Sequence, residues 1–191
     1  MPRPGHRGRG FYAAQSFSDI PESDGRRILV GWFQTETRGM PFNQSMSLPL
    51  VLGLRSTAAG PRLTYAPVEE LSGLRGTAHE AGPVTLAPGD PDPLAGKGAE
   101  LLELRASLET DDAAVVTFTV RGATVVWEAA TGELVVNGHR APAPAEGGRQ
   151  TLAIHCDRTG LEVFASGGTC YVPMPWVPEA SDRSLGVAVE G

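Results

Sequence analysis

Apolar and polar residues alternate with a period of two along most of the second half of the chain, the spacing that places side chains on the two faces of a half-buried strand. Between Glu100 and Glu109, Leu102, Leu104, Ala106 and Leu108 share one face, and Glu103, Arg105, Ser107 and Glu109 the other. Val116, Phe118 and Val120 alternate with Thr117, Thr119 and Arg121, after which Gly122 turns the chain into a run over Thr124 to Trp127. A turn at Ala129 to Gly132 leads into Leu134 to Val136, where Asn137-Gly138 supplies the left-handed pair that a tight hairpin requires. Leu152, Ile154 and Cys156 mark a further strand, closed by Asp157-Arg158-Thr159-Gly160. The chain then returns through Leu161 and Val163, turns at Ala165 to Gly168 and runs on through Cys170 and Val172. Short antiparallel strands with a turn about every ten residues predict an all-β sandwich or barrel.

The first third has a different texture. Arg27 to Phe33 is a near-continuous apolar run and Met46 to Leu54 another, a pattern that predicts strands buried on both faces. The loop between them, Gln34 to Gln44, carries Arg38-Gly39-Met40-Pro41. Pro67 to Arg75 predicts one short helical turn with Val68, Leu71 and Leu74 on one side. Residues 58–75 therefore read as a linker between a first unit, residues 11–57, and a second, residues 76–191. Ala87 to Gly98, rich in Pro, Gly and Asp, reads as a surface loop leading into the second unit. Residues 1–10 carry Arg3, Arg7 and Arg9 with no apolar stretch behind them, which predicts a disordered basic tail rather than a secretory signal or a membrane span.

Composition changes the picture in three respects. The chain of 191 residues, 41% of them hydrophobic, is long enough to bury a sizeable core, and its 24 glycines and 16 prolines are scattered between apolar runs in the manner of a turn-rich β protein. The net charge of −6 argues against a nucleic-acid partner, which needs a concentrated cationic face. The two cysteines, Cys156 and Cys170, fall on strands that flank the same middle strand, about 9 to 10 Å apart by strand spacing. That exceeds disulfide reach, so two buried free thiols are expected.

Side chains that could carry chemistry are few. Asp19, Glu22 and Asp24 sit in a Pro-interrupted turn and read as solvated hairpin residues. Asp157 and Glu162 flank a tight turn, with Glu162 on the face opposite Leu161 and Val163, again a structural placement. Ser45 and Ser47 have no neighbouring histidine and no Gly-x-Ser-x-Gly elbow surrounds them. Cys156 follows His155, but adjacent strand residues point to opposite faces, which disfavours a dyad. His6, His79, His139 and His155 lack metal-ligand spacing, so neither a metal nor a cofactor is expected.

Three segments nevertheless carry a resemblance. Phe11-Tyr12-Ala13-Ala14-Gln15-Ser16-Phe17-Ser18-Asp19-Ile20-Pro21, followed by Asp24-Gly25-Arg26-Arg27-Ile28 and Gly31-Trp32, comes before Met40-Pro41-Phe42-Asn43-Gln44-Ser45-Met46-Ser47-Leu48-Pro49. Further on stands Asp157-Arg158-Thr159-Gly160-Leu161-Glu162-Val163-Phe164. In this order they resemble the C-terminal part of glycoside hydrolase family 32, the levanases, fructan β-fructosidases and invertases. The resemblance implies the last blade of a five-bladed β-propeller followed by a C-terminal antiparallel β-sandwich. It also implies retaining hydrolysis of β-fructosyl bonds in levan, inulin or sucrose by the complete enzyme.

The departures bear on activity. The family's nucleophile motif Trp-(Met/Leu)-Asn-Asp-Pro-Asn-Gly, its Arg-Asp-Pro and its Glu-Cys do not occur in the chain, and Gly10 stands where relatives commonly carry Asp. The chain also reaches Gly191 before the final strand expected of the sandwich. The expectation is a portion that supports the propeller of the same enzyme and is inactive alone. A lone blade would expose edges and apolar surface, so self-association is expected too. A fructan-binding sandwich and an oligomerisation module are the alternatives. Relatives are often secreted.

For the site, the resemblance implies three substrate-binding residues. Trp32 ends an apolar strand, where a core tryptophan is the first expectation; in a complete propeller it could also offer an aromatic face to sugar C–H groups at the funnel rim. Asn43 and Gln44 either stabilise a turn or hydrogen-bond fructosyl hydroxyls. Trp127 and Trp176 read as sandwich packing rather than a sugar platform.

Overall fold

The computed structural model describes residues 5–57 and 60–191; residues 1–4, with Arg3 of the expected tail, and residues 58 and 59 of the expected linker lie outside the described residues. Among the described residues the strands form three antiparallel sheets. The first holds β1 (Phe11–Ser16), β2 (Arg27–Phe33), β3 (Ser45–Met46), β4 (Leu50–Thr57) and β5 (Gly60–Pro67), in the order β1-β2-β4-β5 with β3 also on β2. A 3-10 turn, Glu69–Leu74, follows.

The second and third sheets make a β-sandwich. One holds β6 (Leu102–Leu108), β11 (Gln150–Cys156), β12 (Gly160–Ala165) and β13 (Cys170–Pro175), ordered β13-β12-β11-β6. The other holds β7 (Val115–Val120), β8 (Ala123–Glu128), β9 (Glu133–Val136), β10 (His139–Pro142) and β14 (Leu185–Glu190), ordered β10-β9-β8-β7-β14. The period-two residues meet between them: Val116, Phe118, Val125, Trp127, Leu134 and Val136 pack on Leu104, Leu152, Ile154, Leu161 and Val163. Asn137 (φ 45°) and Gly138 (φ 77°) make the β9–β10 turn, as Asn-Gly demands.

The first sheet covers the outer face of the four-stranded sheet. Leu50 and Tyr65 pack on Phe164 and Tyr171, with Tyr171 stacked on Tyr65 at 5.2 Å between ring centroids and on Phe164 at 4.9 Å. The four-stranded sheet is thus the middle of three layers, which is why every residue of β12 is buried.

Four sequence-based expectations need correction. The expected linker over residues 58–75 contains β5, paired with β4 from Leu50↔Pro67 to Thr57↔Gly60, because Tyr65 has a core partner in Tyr171. The two apolar runs are not buried on both faces: Ile28, Gly31 and Phe33 are buried but Trp32 is 39% exposed, and Pro49 splits the second run between β3 and β4. Of the basic tail, the described residues do not trail into solvent. Arg7 N and Arg9 N donate to Tyr171 O and Pro173 O at 2.7 and 2.8 Å, since β13 is an edge strand whose outward carbonyls need donors. The cysteines are free and buried, and further apart than strand spacing alone gives. Cys156 pairs with Leu161 at one end of β12 and Cys170 with Ala165 at the other, which adds about 13 Å along the strand.

Candidate functional site

Trp32 and Phe33 set the geometry of the site by pointing opposite ways from β2. Phe33 is buried and lies so close to Gly160 that a Cβ there would stand 2.2 Å from its Cε1. Trp32 turns away from the sandwich and stands opposite both Tyr12 on β1 and Met46 on β3. The result is a row of exposed apolar side chains across three strands, with the Tyr12 and Trp32 ring centroids 6.1 Å apart. A bulge in β1, where Ala13 and Ala14 oppose Gly31, lets the Phe11 ring sit over Gly31 on the other side.

The loop after β2 continues the strand's alternation. Phe33, Thr35 and Thr37 are buried, and Gln34, Glu36 and Arg38 are exposed. Thr37 closes the loop on itself: its hydroxyl donates to Phe42 O at 2.8 Å and accepts from Gln44 N at 3.1 Å, which holds Gln44 at a φ of 66°. That conformation costs a non-glycine residue energy and persists only where neighbours impose it. Trp32, Phe42, Asn43, Gln44, Ser45 and Met46 then line a shallow open pocket of about 360 Å³. All three substrate-binding residues expected from the sequence come together there. Gln44 Oε1 is shielded from solvent without a hydrogen-bond partner, and Asn43 is exposed.

The sandwich holds the loop from behind. Thr35 Oγ1 donates to Thr159 O, and Ser45 Oγ lies 3.0 Å from Thr159 Oγ1. Leu48 N donates to Glu162 Oε1 at 2.7 Å, and Tyr171 OH donates to Glu162 Oε2 at 2.5 Å. Burial pushes the Glu162 carboxyl up to about 7 against the pull of these two donors, and burial beside Glu162 pushes the Tyr171 phenol up. Glu162, expected on a face away from the core, is on that face, and the first sheet buries it. Thr35, Thr37 and Thr159 were not singled out by sequence reasoning; the alternation of Phe33-Gln34-Thr35-Glu36-Thr37-Arg38 was the available signal.

Other candidates resolve as structural. Ser47 is buried, accepting from Gly31 N at 2.9 Å and donating to Leu48 O. Trp127 is in the sandwich core with its indole N–H on Ala143 O, and the indole of Trp176 donates to Arg121 O. The carboxylate of Asp24 is paired with Arg26, and that of Asp157 accepts from Arg158 N. Among the described residues no group of His, Cys, Asp and Glu could hold a metal ion, and no helix is long and apolar enough to cross a membrane. None of the six residues that line the pocket carries a carboxyl group.

No family model matches the chain. It is 27% identical over 206 residues to a levanase of Bacillus subtilis (strain 168), covering 93% of this chain and 30% of the levanase. It is 28% identical over 214 residues to a levanase of Bacillus sp. (strain L7), covering 96% of this chain and 23% of that protein. The chain thus spans less than a third of the length of these relatives. Among solved structures, the exo-inulinase of Aspergillus awamori matches with a TM-score of 0.83 at 18% identity, over 98% of this chain and 41% of its own. Fructan 1-exohydrolase IIa of Cichorium intybus matches with a TM-score of 0.73 at 16% identity, over 96% and 45%. Sequence likeness to levanases along nearly the whole chain, and a fold shared with the exo-inulinase and the fructan 1-exohydrolase, support the resemblance to glycoside hydrolase family 32 in its C-terminal portion.

Proposed function

We propose that this chain is the last propeller blade and the supporting β-sandwich of an enzyme that hydrolyses β-fructosyl bonds in levan, inulin or sucrose. In this reading residues 11–67 form the blade, and Trp32, Asn43 and Gln44 contact the fructosyl group. The observation that carries it is the exposed Trp32 ring beside two amide side chains in one pocket, on the face turned away from the sandwich. An aromatic face takes sugar C–H groups while a few placed amides take hydroxyls, and the exposed Asn43 side chain offers both a donor and an acceptor for them.

The exposed row of Tyr12, Trp32 and Met46 supports a blade whose neighbour is the rest of the propeller. Retaining hydrolysis needs two carboxyl groups about 5 to 5.5 Å apart across the scissile bond. The pocket supplies neither, so the chain alone binds without turnover and tends to self-associate through that row. Titration with levan or inulin oligosaccharides tests the reading. Saturable binding, lost in Trp32→Ala and kept in Trp176→Phe, is expected. Binding that survives Trp32→Ala, or hydrolysis by the isolated chain, would overturn it.

A further inference from the structure

We infer that Thr159, on the β11–β12 turn of the sandwich, is a positioning residue for the sugar-facing loop, so that the sandwich sets the shape of the pocket rather than merely carrying the blade. The inference rests on the fructosyl reading of that pocket only for its binding arm.

Three contacts converge on this turn. The Thr159 carbonyl accepts from the buried Thr35 hydroxyl and from Trp176 N at 3.2 Å, and its own hydroxyl meets Ser45 Oγ. Thr35 and Ser45 stand at the two ends of the loop: one lies two residues past β2, and the other opens β3 and lines the pocket. A single residue of another sheet therefore pins both ends of the segment that holds Phe42, Asn43 and Gln44. Thr159 is 6% exposed and sits on a turn closed by Asp157 N donating to Gly160 O at 2.9 Å, so it is itself held in place. Gly160 completes the arrangement by leaving room for the Phe33 ring, which brings the start of the loop against the turn. Thr37 then folds the middle of the loop, but it cannot fix the loop relative to the sheet, because both its partners belong to the loop itself.

The test uses the full chain, with hydrogen exchange of the 35–46 amides and calorimetric titration with the fructosyl trisaccharide 1-kestose. Thr159→Val keeps the shape and the carbonyl but deletes the hydroxyl. It should speed exchange across 35–46 and weaken 1-kestose by about fivefold, the scale of one neutral hydrogen bond. Thr159→Ser restores the hydroxyl and should return both readouts to within about twofold of wild type. Ser45→Ala removes the same bond from the loop side and should reproduce the exchange change even if Thr159→Val folds poorly. Unchanged exchange over 35–46 in both Thr159→Val and Ser45→Ala would overturn the inference, as would failure of Thr159→Ser to rescue. If the wild-type chain does not bind 1-kestose, the fructosyl reading falls and the exchange measurements still decide the positioning role.

Discussion

Replacing Glu162 by glutamine should leave the chain as stable as wild type in mild acid and make it more stable above neutral pH. Glu162 is buried between the first sheet and the sandwich, and burial raises its carboxyl from the ordinary 4.5 to about 7. An acid whose folded-state pKa is raised contributes stability that is fully present below its unfolded pKa and is lost as pH rises through the folded one. The window here runs from about pH 4.5 to about pH 7, and its full height is on the order of 3 kcal/mol. Glutamine mimics the protonated acid: its carbonyl accepts from Leu48 N and its amide can donate to the Tyr171 oxygen. Other groups titrate alongside. His6 and His155, both lowered first of all by burial, add stability as pH rises. At Glu103 burial is outweighed by Arg75 and Arg105, so its carboxyl is held down to about 2 and its contribution is lost only in acid. All of these cancel in the difference between the two proteins. Urea unfolding followed by tryptophan fluorescence should show wild type losing about 2 to 3 kcal/mol relative to Glu162→Gln between pH 5 and pH 8, or about 5 to 10 °C in Tm. A flat difference, or wild type gaining on the variant as pH rises, would refute the account of Glu162.

Three further outcomes follow from the packing. Gly160→Ala places a methyl 2.2 Å from Phe33 Cε1 and should cost about 2 kcal/mol in urea unfolding, with Phe33→Leu in the same chain recovering part of it; a cost below about 0.5 kcal/mol would contradict the tight fit. Burial pushes the Cys156 and Cys170 thiols up to about 11 and about 12, so neither should react with a thiol reagent in the native chain at neutral pH, and both should react in urea with no disulfide to reduce. Trp32→Ala, for all its expected effect on sugar binding, should change stability by no more than about 1 kcal/mol, because the ring is 39% exposed; a larger loss would return Trp32 to the core.

The sandwich was legible in the sequence because each of its strands shows one apolar face to the facing sheet. Leu152, Ile154 and Cys156, or Val116, Phe118 and Val120, announce themselves at period two whatever covers the other side. The first sheet hides its alternation. In Arg27-Ile28-Leu29-Val30-Gly31-Trp32-Phe33 both faces are apolar, so periodicity cannot tell the buried Phe33 from the exposed Trp32, and the run reads as a strand covered on both sides. β5 was lost for a related reason: Gly60-Pro61-Arg62-Leu63-Thr64-Tyr65-Ala66-Pro67 offers Tyr65 as its one buried side chain within a stretch of turn residues. The pocket itself was legible only through resemblance. The loop that carries Asn43 and Gln44 is folded by the hydroxyl of Thr37 and held against the sandwich by Thr159, bonds that composition does not reveal.

Asp157-Arg158-Thr159-Gly160-Leu161-Glu162-Val163-Phe164 shows how a sandwich segment can carry the imprint of the first sheet. Leu161 and Val163 face the sandwich core, which would be satisfied by any apolar pair of similar volume. Four of the remaining choices answer to the first sheet. Thr159 meets Thr35 and Ser45, Gly160 clears the Phe33 ring, Glu162 accepts from Leu48 N, and Phe164 stacks on Tyr171 beneath Leu50 and Tyr65. In a sandwich that stood alone these positions would face water, where a carboxylate flanked by an exposed phenylalanine gains nothing and a glycine in a strand costs stability. The motif is therefore a record of the contact between the two units, and its presence in the sandwich argues that the first sheet is part of the same folding problem.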